Sequence, residues 1–368
     1  MLVEASRPRP PKGRASAPGY NEQARQLTEA RAAFAWLRAG SVTVQQQALR
    51  DFAQAMSSFF GGTHGRPTWR KAGRNEGFRQ VAVRPDHVRR VNRRHGQVWV
   101  PKIGWVRFRW SRQVPEGVKS YRVTCDRAGR WHIAFAAIPP SIPSPGNGQT
   151  VGVDRGVAVS AALSTGQLLR VPALTPGEQQ RLRRLHRRLA RGKRGSNRRA
   201  KVKKAIARLK AREGDRRRDW VEKTSTDLAR RFDLIRVEDL NIRGMTRSAK
   251  GTVDRPGHNV RRKAVLNRGI LANGWGRLVA RLEHKAPGRV ERVNAAYTSQ
   301  RCSACGHIAP DNRKSQAGFQ CVVCRFVGHA DVNAACNIAA GRVVTARGAL
   351  QPPGGAVSRE PQLATSTP

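Results

Sequence analysis

The sequence predicts an α+β, multidomain chain in which a mixed-sheet domain carrying buried acids is tied to a small cysteine-ligated module. Three observations carry this prediction. Two Cys-x-x-Cys pairs near the C-terminus have metal-ligand spacing, short apolar strands ending in Asp154 and Glu238 alternate with helical segments, and a block of period-two alternation precedes both.

The cysteine module comes first, because its chemistry is the most specific. Cys302 and Cys305 form one pair, Cys321 and Cys324 the second, and fifteen residues separate them. Two such knuckles bring four thiolates onto one ion, and Gly306 and Gly318 allow the chain between them to double back, so residues 297–329 read as a zinc ribbon. A closed four-thiolate site keeps no coordination position open, which makes Zn2+ a scaffold here and not a catalyst. Just beyond, Asp331 is followed by Val332, Ala335, Cys336 and Ala339 at the i, i+3, i+4, i+7 spacing of a buried helix face. A carboxylate at that place is either an N-cap or a metal ligand, and the spacing leaves both open.

Charge limits the partners. The 368 residues carry a formal net charge of +47, which calls for a polyanion to relieve self-repulsion. Nucleic acid fits that role. A membrane does not, since the chain has no apolar run of spanning length and no signal-peptide pattern. Four of the six cysteines sit in knuckles and two, Cys125 and Cys336, are isolated, so no disulfide framework exists and a reducing, cytoplasmic setting is expected.

Taken in order, residues 1–19 are rich in Pro, Arg and Gly and are expected to be disordered. Residues 20–62 predict a helical hairpin: Leu27, Ala30, Phe34 and Leu37 on one helix, a break at Gly40, then Val44–Phe60 with Ala48, Phe52, Ala55, Met56 and Phe59. Residues 63–140 alternate apolar and polar side chains and predict an antiparallel β-barrel or sheet. Its outward positions interleave rings and cations (Trp99, Trp105, Arg107, Phe108, Arg109, Trp110, Arg112), which suits either base stacking beside phosphates or core packing. Residues 141–149 form a Pro- and Gly-rich linker.

Residues 150–345 then predict one domain. Val151, Val153, Val157, Val159 and Leu163 alternate around an Arg155-Gly156 turn, and Gln167 to Val171 adds a third strand. Asp154 ends the first strand among apolar neighbours, where an acid without a cation is costly. Residues 178–222 are an amphipathic helical pair with Leu182, Leu185, Leu189, Val202, Ile206 and Leu209 as its stripe. Arg187, Arg188, Arg198, Arg199, Lys203 and Lys204 lie on its basic face, which predicts a phosphate-binding arm. A further helix is expected over Trp220–Phe232, a buried strand ending at Glu238 with Asp239 as a competing acid, one helix from Lys263 to Lys285, and a strand over Arg289–Asn294. Residues 346–368 are expected to be disordered.

Three strands, helices, a strand, a helix, a strand and a last helix make an RNase H-like order, with acids on the first strand, the later strand and the last helix. The order resembles RuvC nuclease domains. VGVDRG, VEDLN and TSQRCSACG…CVVC…HADVNAACNIA resemble the TnpB proteins, transposon-encoded relatives of type V CRISPR effector nucleases, and the likeness runs from about Tyr20 to Val344. That resemblance implies that Asp154, Glu238 and Asp331 are the catalytic carboxylates. It also makes the helical hairpin a recognition lobe, the barrel a wedge domain and the basic pair the RuvC insertion. Such acids can hold two Mg2+ ions about 4 Å apart for in-line phosphodiester displacement. Guide RNA and target DNA are the partners implied, with sequence choice delegated to base pairing. A transposase performing strand transfer and a DNA- or RNA-binding protein that does not cut are the alternatives. Two departures from the family pattern stand out: Arg325 occupies a place where glycine is common, and the chain opens on a Pro- and Arg-rich stretch where the family has a wedge strand and a helix. The expectation is a shortened or mis-started chain that binds its guide poorly.

Overall fold

The computed structural model describes residues 19–68 and 76–341. The disorder expected for residues 1–19 and 346–368 therefore lies outside the described residues, except for Gly19, which stands at the N-cap of the first helix. Two compact units are present. One comprises the chain up to Pro139 together with Arg184–Ala211, and the other Pro140–Arg183 with the chain from Arg212 onward.

The first unit opens with α1 (Tyr20–Ala33), α2 (Ala35–Ala39) and α3 (Val42–Phe60). Phe34 takes an extended conformation that interrupts the first helix, so it is 52% exposed and does not join the predicted stripe. Ala48 is likewise exposed, and the buried residues are Leu27 and Leu49 with Gln23 and Gln47. Six strands follow: β1 (Gly77–Val81), β2 (Val88–Arg90), β3 (His95–Val100), β4 (Gly104–Arg109), β5 (Ser120–Cys125) and β6 (Trp131–Phe135). Alternation predicts one barrel or sheet, and hydrogen bonding among the described residues gives two antiparallel three-stranded sheets, β1-β5-β6 and β2-β3-β4. After β1, Ala82 adopts φ 55° while Val83 N–H still donates to the Lys119 carbonyl at 3.1 Å, and the chain then passes through Pro85–His87 to the second sheet. Val83, Val98, Val100 and Tyr121 form the shared core. A groove of about 800 Å3, lined by Phe78, Val98, Ile103, Phe108, Trp131 and Ile133 among others, stays open in this unit. Arg122 on β5 makes a bidentate ion pair with Asp51 on α3, at 2.9 and 3.0 Å.

In the second unit β7 (Thr150–Asp154), β8 (Ala161–Leu163) and β9 (Leu168–Leu169) run antiparallel to one another in sequence. Next come α4 (Pro176–Arg191) and α5 (Asn197–Arg231), whose stretch Arg184–Ala211 belongs with the first unit. The separate helix expected from Trp220 is the C-terminal part of α5, which passes through Gly214 unbroken. β10 (Leu234–Glu238), α6 (Ile242–Met245), α7 (Val260–Asn273), α8 (Trp275–Lys285) and β11 (Val290–Val293) follow. The single helix predicted over Lys263–Lys285 is therefore two. Gly274, at φ 69°, stands between them in a left-handed conformation that a glycine adopts without penalty. Ile270, Leu278 and Leu282 are buried, whereas Leu266 and Leu271 face solvent. The strand order is β11-β10-β7-β8-β9, with β7, β10 and β11 parallel. Val151, Val153, Leu163, Leu228, Ile235, Val237 and Leu282 contribute to the core beneath it, each worth about 1.5–3 kcal/mol when fully buried. The linker is pinned to this unit: Ile142 N–H donates to the Lys285 carbonyl at 2.7 Å, and Gly146 N–H donates to Asp233 Oδ1 at 2.8 Å.

The chain ends, among the described residues, with the hairpin β12 (Gly318–Gln320) and β13 (Val327–His329) and then α9 (Ala330–Ala339). On α9, Ala335 is buried as predicted, but Val332, Cys336 and Ala339 are only half-buried. Asp331, Asn333 and Asn337 are buried together with Ala330, Ala334, Ala335 and Ile338, a mixed polar face that apolar spacing does not reveal. The helix lies so close to β7 that a Cβ at Gly152 would stand 2.0 Å from the Ala335 carbonyl oxygen. Gly152→Ala should therefore destabilise the fold by at least about 1–3 kcal/mol, the scale of overpacking, read as a lowered thermal midpoint. An unchanged midpoint would contradict this packing. No helix among the described residues is long and apolar enough to cross a membrane.

Candidate functional site

Val153 on β7 pairs with Val237 on β10, so the next residues, Asp154 and Glu238, stand side by side at the ends of adjacent parallel strands. α9 packs on β7 and delivers Asp331 to the same place. Glu238 and Asp331 are each 8% exposed, and Asp154 is partly buried. Burial, then the charges of Glu238 and Asp331, pushes the Asp154 carboxyl up to about 8. Burial also raises Glu238, against the pull of Arg155 and of a hydrogen bond from the Thr298 hydroxyl at 3.3 Å. Asp239, the competing acid, is exposed and pairs with Arg292 at 3.4 Å. The other alternative also resolves: the N-cap of α9 is His329, whose Nδ1 accepts the Asp331 N–H at 3.2 Å, which leaves the Asp331 carboxylate for other partners.

Two guanidiniums meet these acids, and neither is among the site residues expected from the sequence. Arg313, from the loop between the cysteine pairs, donates from Nη2 to Asp331 Oδ1 at 3.2 Å and to the Gln316 carbonyl at 2.9 Å. Arg155 is 6% exposed, donates to the Glu238 carbonyl, and finds no partner for its Nε among the described residues. Asp154 thus lies in the fields of Glu238 and Asp331 with partial compensation, and although the ligand atoms within 4.8 Å of one another among the described residues are those of the cysteines, carboxylate oxygens are the donors that suit a hard divalent cation.

The four cysteine Sγ atoms lie within 4.8 Å of one another, with Cys302–Cys324 and Cys305–Cys321 both at 3.6 Å. Zinc–sulfur bonds of about 2.3 Å in a tetrahedron require sulfurs about 3.8 Å apart, so this cluster fits Zn2+. Burial opposes ionisation of Cys321, but backbone N–H groups of Cys324 and Val323 bring its thiol down to about 7. Arg325 sits at φ 62°, a left-handed conformation costly for any side chain with a Cβ. Arg325→Gly is expected to stabilise the ribbon by about 0.5–1 kcal/mol, seen as slower zinc loss to a chelator. Faster loss would show that the Arg325 side chain itself holds the knuckle.

Asn333 and Asn337, one turn apart on α9, bind the ribbon to the site. Asn333 Oδ1 accepts from Ser303 N–H at 2.8 Å and its Nδ2 donates to the Arg301 carbonyl at 2.7 Å. Asn337 Nδ2 donates to the carbonyls of Thr298 and Arg301, both at 2.9 Å. Asn at i and i+4 on a short helix is the signal that could have exposed this link.

The basic candidates divide. Arg107, Arg109, Arg187, Arg188, Arg198, Lys203 and Lys204 are exposed. Arg199 is half-buried and donates to the carbonyls of Leu189 and Gly192, which makes it part of the α4–α5 turn. Among the rings, Trp105 has Arg89 over its face at 4.0 Å, Trp99 meets it edge-on at 5.6 Å, and Phe108 packs with Phe135. These rings are partly engaged already, which the interleaved pattern alone does not show.

Residues 132–249 match the family model described as a probable transposase, OrfB of IS605, and residues 275–338 match a Cas12f1-like TNB domain. The chain is 38% identical over 331 residues to the "Putative RNA-guided DNA endonuclease InsQ" of Escherichia coli K12, covering 89% of this chain and 81% of that one. It is 30% identical over 338 residues to a "Putative RNA-guided DNA endonuclease" of Streptomyces pristinaespiralis, covering 87% and 79%. A Cas12f1–sgRNA–target DNA complex aligns with a TM-score of 0.47 at 13% identity, over 87% of this chain and 79% of that one.

Proposed function

Because the chain belongs to the TnpB-like OrfB family that includes InsQ, we propose that it is a transposon-associated, RNA-guided DNA endonuclease whose chemistry is carried by Asp154, Glu238 and Asp331. The observation that supports this most is the convergence of three confined carboxylates from two parallel strands and one helix. The five strands then read as an RNase H-like, RuvC-type sheet, and the two three-stranded sheets as an open form of the wedge barrel.

Asp154, Glu238 and Asp331 would hold Mg2+, a hard cation suited to carboxylate oxygens, and bound magnesium supplies water activation and stabilisation of the leaving 3′ oxygen. The protein's own contribution is placement. β7 and β10 fix two acids in register, α9 presents the third, and the Thr298 hydroxyl orients Glu238. Arg313 pairs with Asp331 and brings a cation to the acids. Arg107, Arg109, Arg187, Arg188, Arg198, Lys203 and Lys204 form the proposed backbone contacts to guide RNA and DNA. Arg199 leaves that set, because its guanidinium is committed to the turn.

Purified protein with its co-purified RNA, magnesium and a DNA carrying the guide-matched sequence tests the reading. Cutting that depends on the guide supports it, whereas joined DNA ends would favour strand transfer and binding without cutting would remove the endonuclease.

A further inference from the structure

The turn between α4 and α5 carries more than a charged surface. Arg188, Arg191, Lys193, Ser196, Arg198 and Arg199 line a concavity of about 460 Å3, within the range of about 300–1,000 Å3 typical of small-ligand pockets. Leu185, Val202 and Leu209 are buried, which fixes the two helices and turns the cations outward. The turn is ordered by its own bonds. Ser196 Oγ donates to the Lys193 carbonyl at 2.9 Å and accepts from Arg199 N–H at 3.3 Å, while Arg199 closes the end of α4 through the Gly192 carbonyl at 2.9 Å.

The distribution of acids separates this pocket from the rest of the same helices. Further along, Arg212 and Arg216 are neutralised by Glu178 at 2.7 and 2.6 Å. Between Arg184 and Ala211 there are eight arginines, five lysines and no carboxylate. Arg188, Arg191, Lys193 and Arg198 therefore converge on a stretch without an anion of its own, and like charges so placed repel until an external anion joins them. No aromatic ring lines the pocket among the described residues, so it offers a base nothing to stack on.

Resting on the nucleic-acid reading above, we propose that this turn is a built pocket for one phosphodiester of a nucleic-acid backbone, held by Arg188, Arg191, Lys193 and Arg198 and framed by Arg199. It grips the strand at a fixed point without reading its sequence. Any oligonucleotide supplies the chemistry, and RNA and DNA are distinguished as separate arms of the test.

The test compares intact protein with Arg188→Gln/Arg198→Gln and with a control pair, Arg261→Gln/Arg262→Gln, which removes the same charge from exposed positions on α7. Affinity for labelled RNA and single-stranded DNA, each in two unrelated sequences, is followed against salt in magnesium-free buffer. The pocket pair should flatten the slope of log affinity on log salt by about 0.7–0.9, one lost phosphate contact, equally for both sequences of the responding strand. The control pair should leave it unchanged. Lys193→Gln, in the non-helical turn, should weaken binding in the same direction and guards against a helix disturbed by the double change. Equal flattening by both pairs, or by neither, overturns the pocket. Guided cleavage is measured separately with magnesium: protein that binds with the pocket signature but never cuts removes the endonuclease reading and leaves the pocket standing.

Discussion

Alanine in place of Asp154, Glu238 or Asp331 should lower guided DNA cleavage by about 10²–10³-fold, the scale attached to removing preorganised electrostatic stabilisation. Binding should not weaken. Each acid repels phosphate, and Asp331→Ala in addition releases Arg313 from its 3.2 Å ion pair, so affinity stays level or rises. Asp239→Ala supplies the internal control, since that acid is exposed and pairs with Arg292. Cleavage rates and nucleic-acid affinities of the four variants, measured together, decide the assignment: full cutting by any of the first three, or loss of cutting by Asp239→Ala alone, would move the active site.

Much of this site was legible because acids at the ends of apolar strands are anomalous on their own. Asp154 follows Val151 and Val153, and Glu238 follows Ile235 and Val237, so both stand where burial without compensation is costly. The cysteine pairs were legible because knuckle spacing is set by the ion. What spacing could not show was the compensation. Arg313 lies in a polar loop that resembles any other until the ribbon folds back on α9, and Arg155 resembles a turn residue until Glu238 arrives beside it. Elements were missed for a related reason. Periodicity cannot see a left-handed Gly274 between two helices, nor that the strands on either side of Pro85–His87 belong to different sheets. In the basic arm, charge pattern treated Arg199 as equivalent to Arg198, although one ties a turn and the other faces solvent.

Zinc removal is expected to have the second large effect, and to act through α9 and not at the reacting bond. About one equivalent should be bound, by Cys302, Cys305, Cys321 and Cys324, and structural zinc sites of this kind contribute about 10–16 kcal/mol in isolated peptides. The core of the ribbon contains little else, namely Phe319 and Ala330 with the buried Cys302 and Cys321, so Cys302→Ser should unfold it locally. Arg313 then leaves Asp331, the Arg301 and Ser303 backbone leaves Asn333, and Thr298 loses the anchor that holds its hydroxyl near Glu238. Cleavage should fall together with the thermal midpoint in Cys302→Ser and in chelator-treated protein. Zinc should restore the treated protein, and magnesium alone should not. Asn333→Ala separates the latch from the metal. It should retain zinc while losing about 1–3 kcal/mol, because the Ser303 N–H loses its acceptor and the Arg301 carbonyl keeps only Asn337, and cleavage should drop with it. Freshly reduced protein without zinc would remove the scaffold, and Asn333→Ala cutting at the full rate would show that α9 holds Asp331 without help from the ribbon.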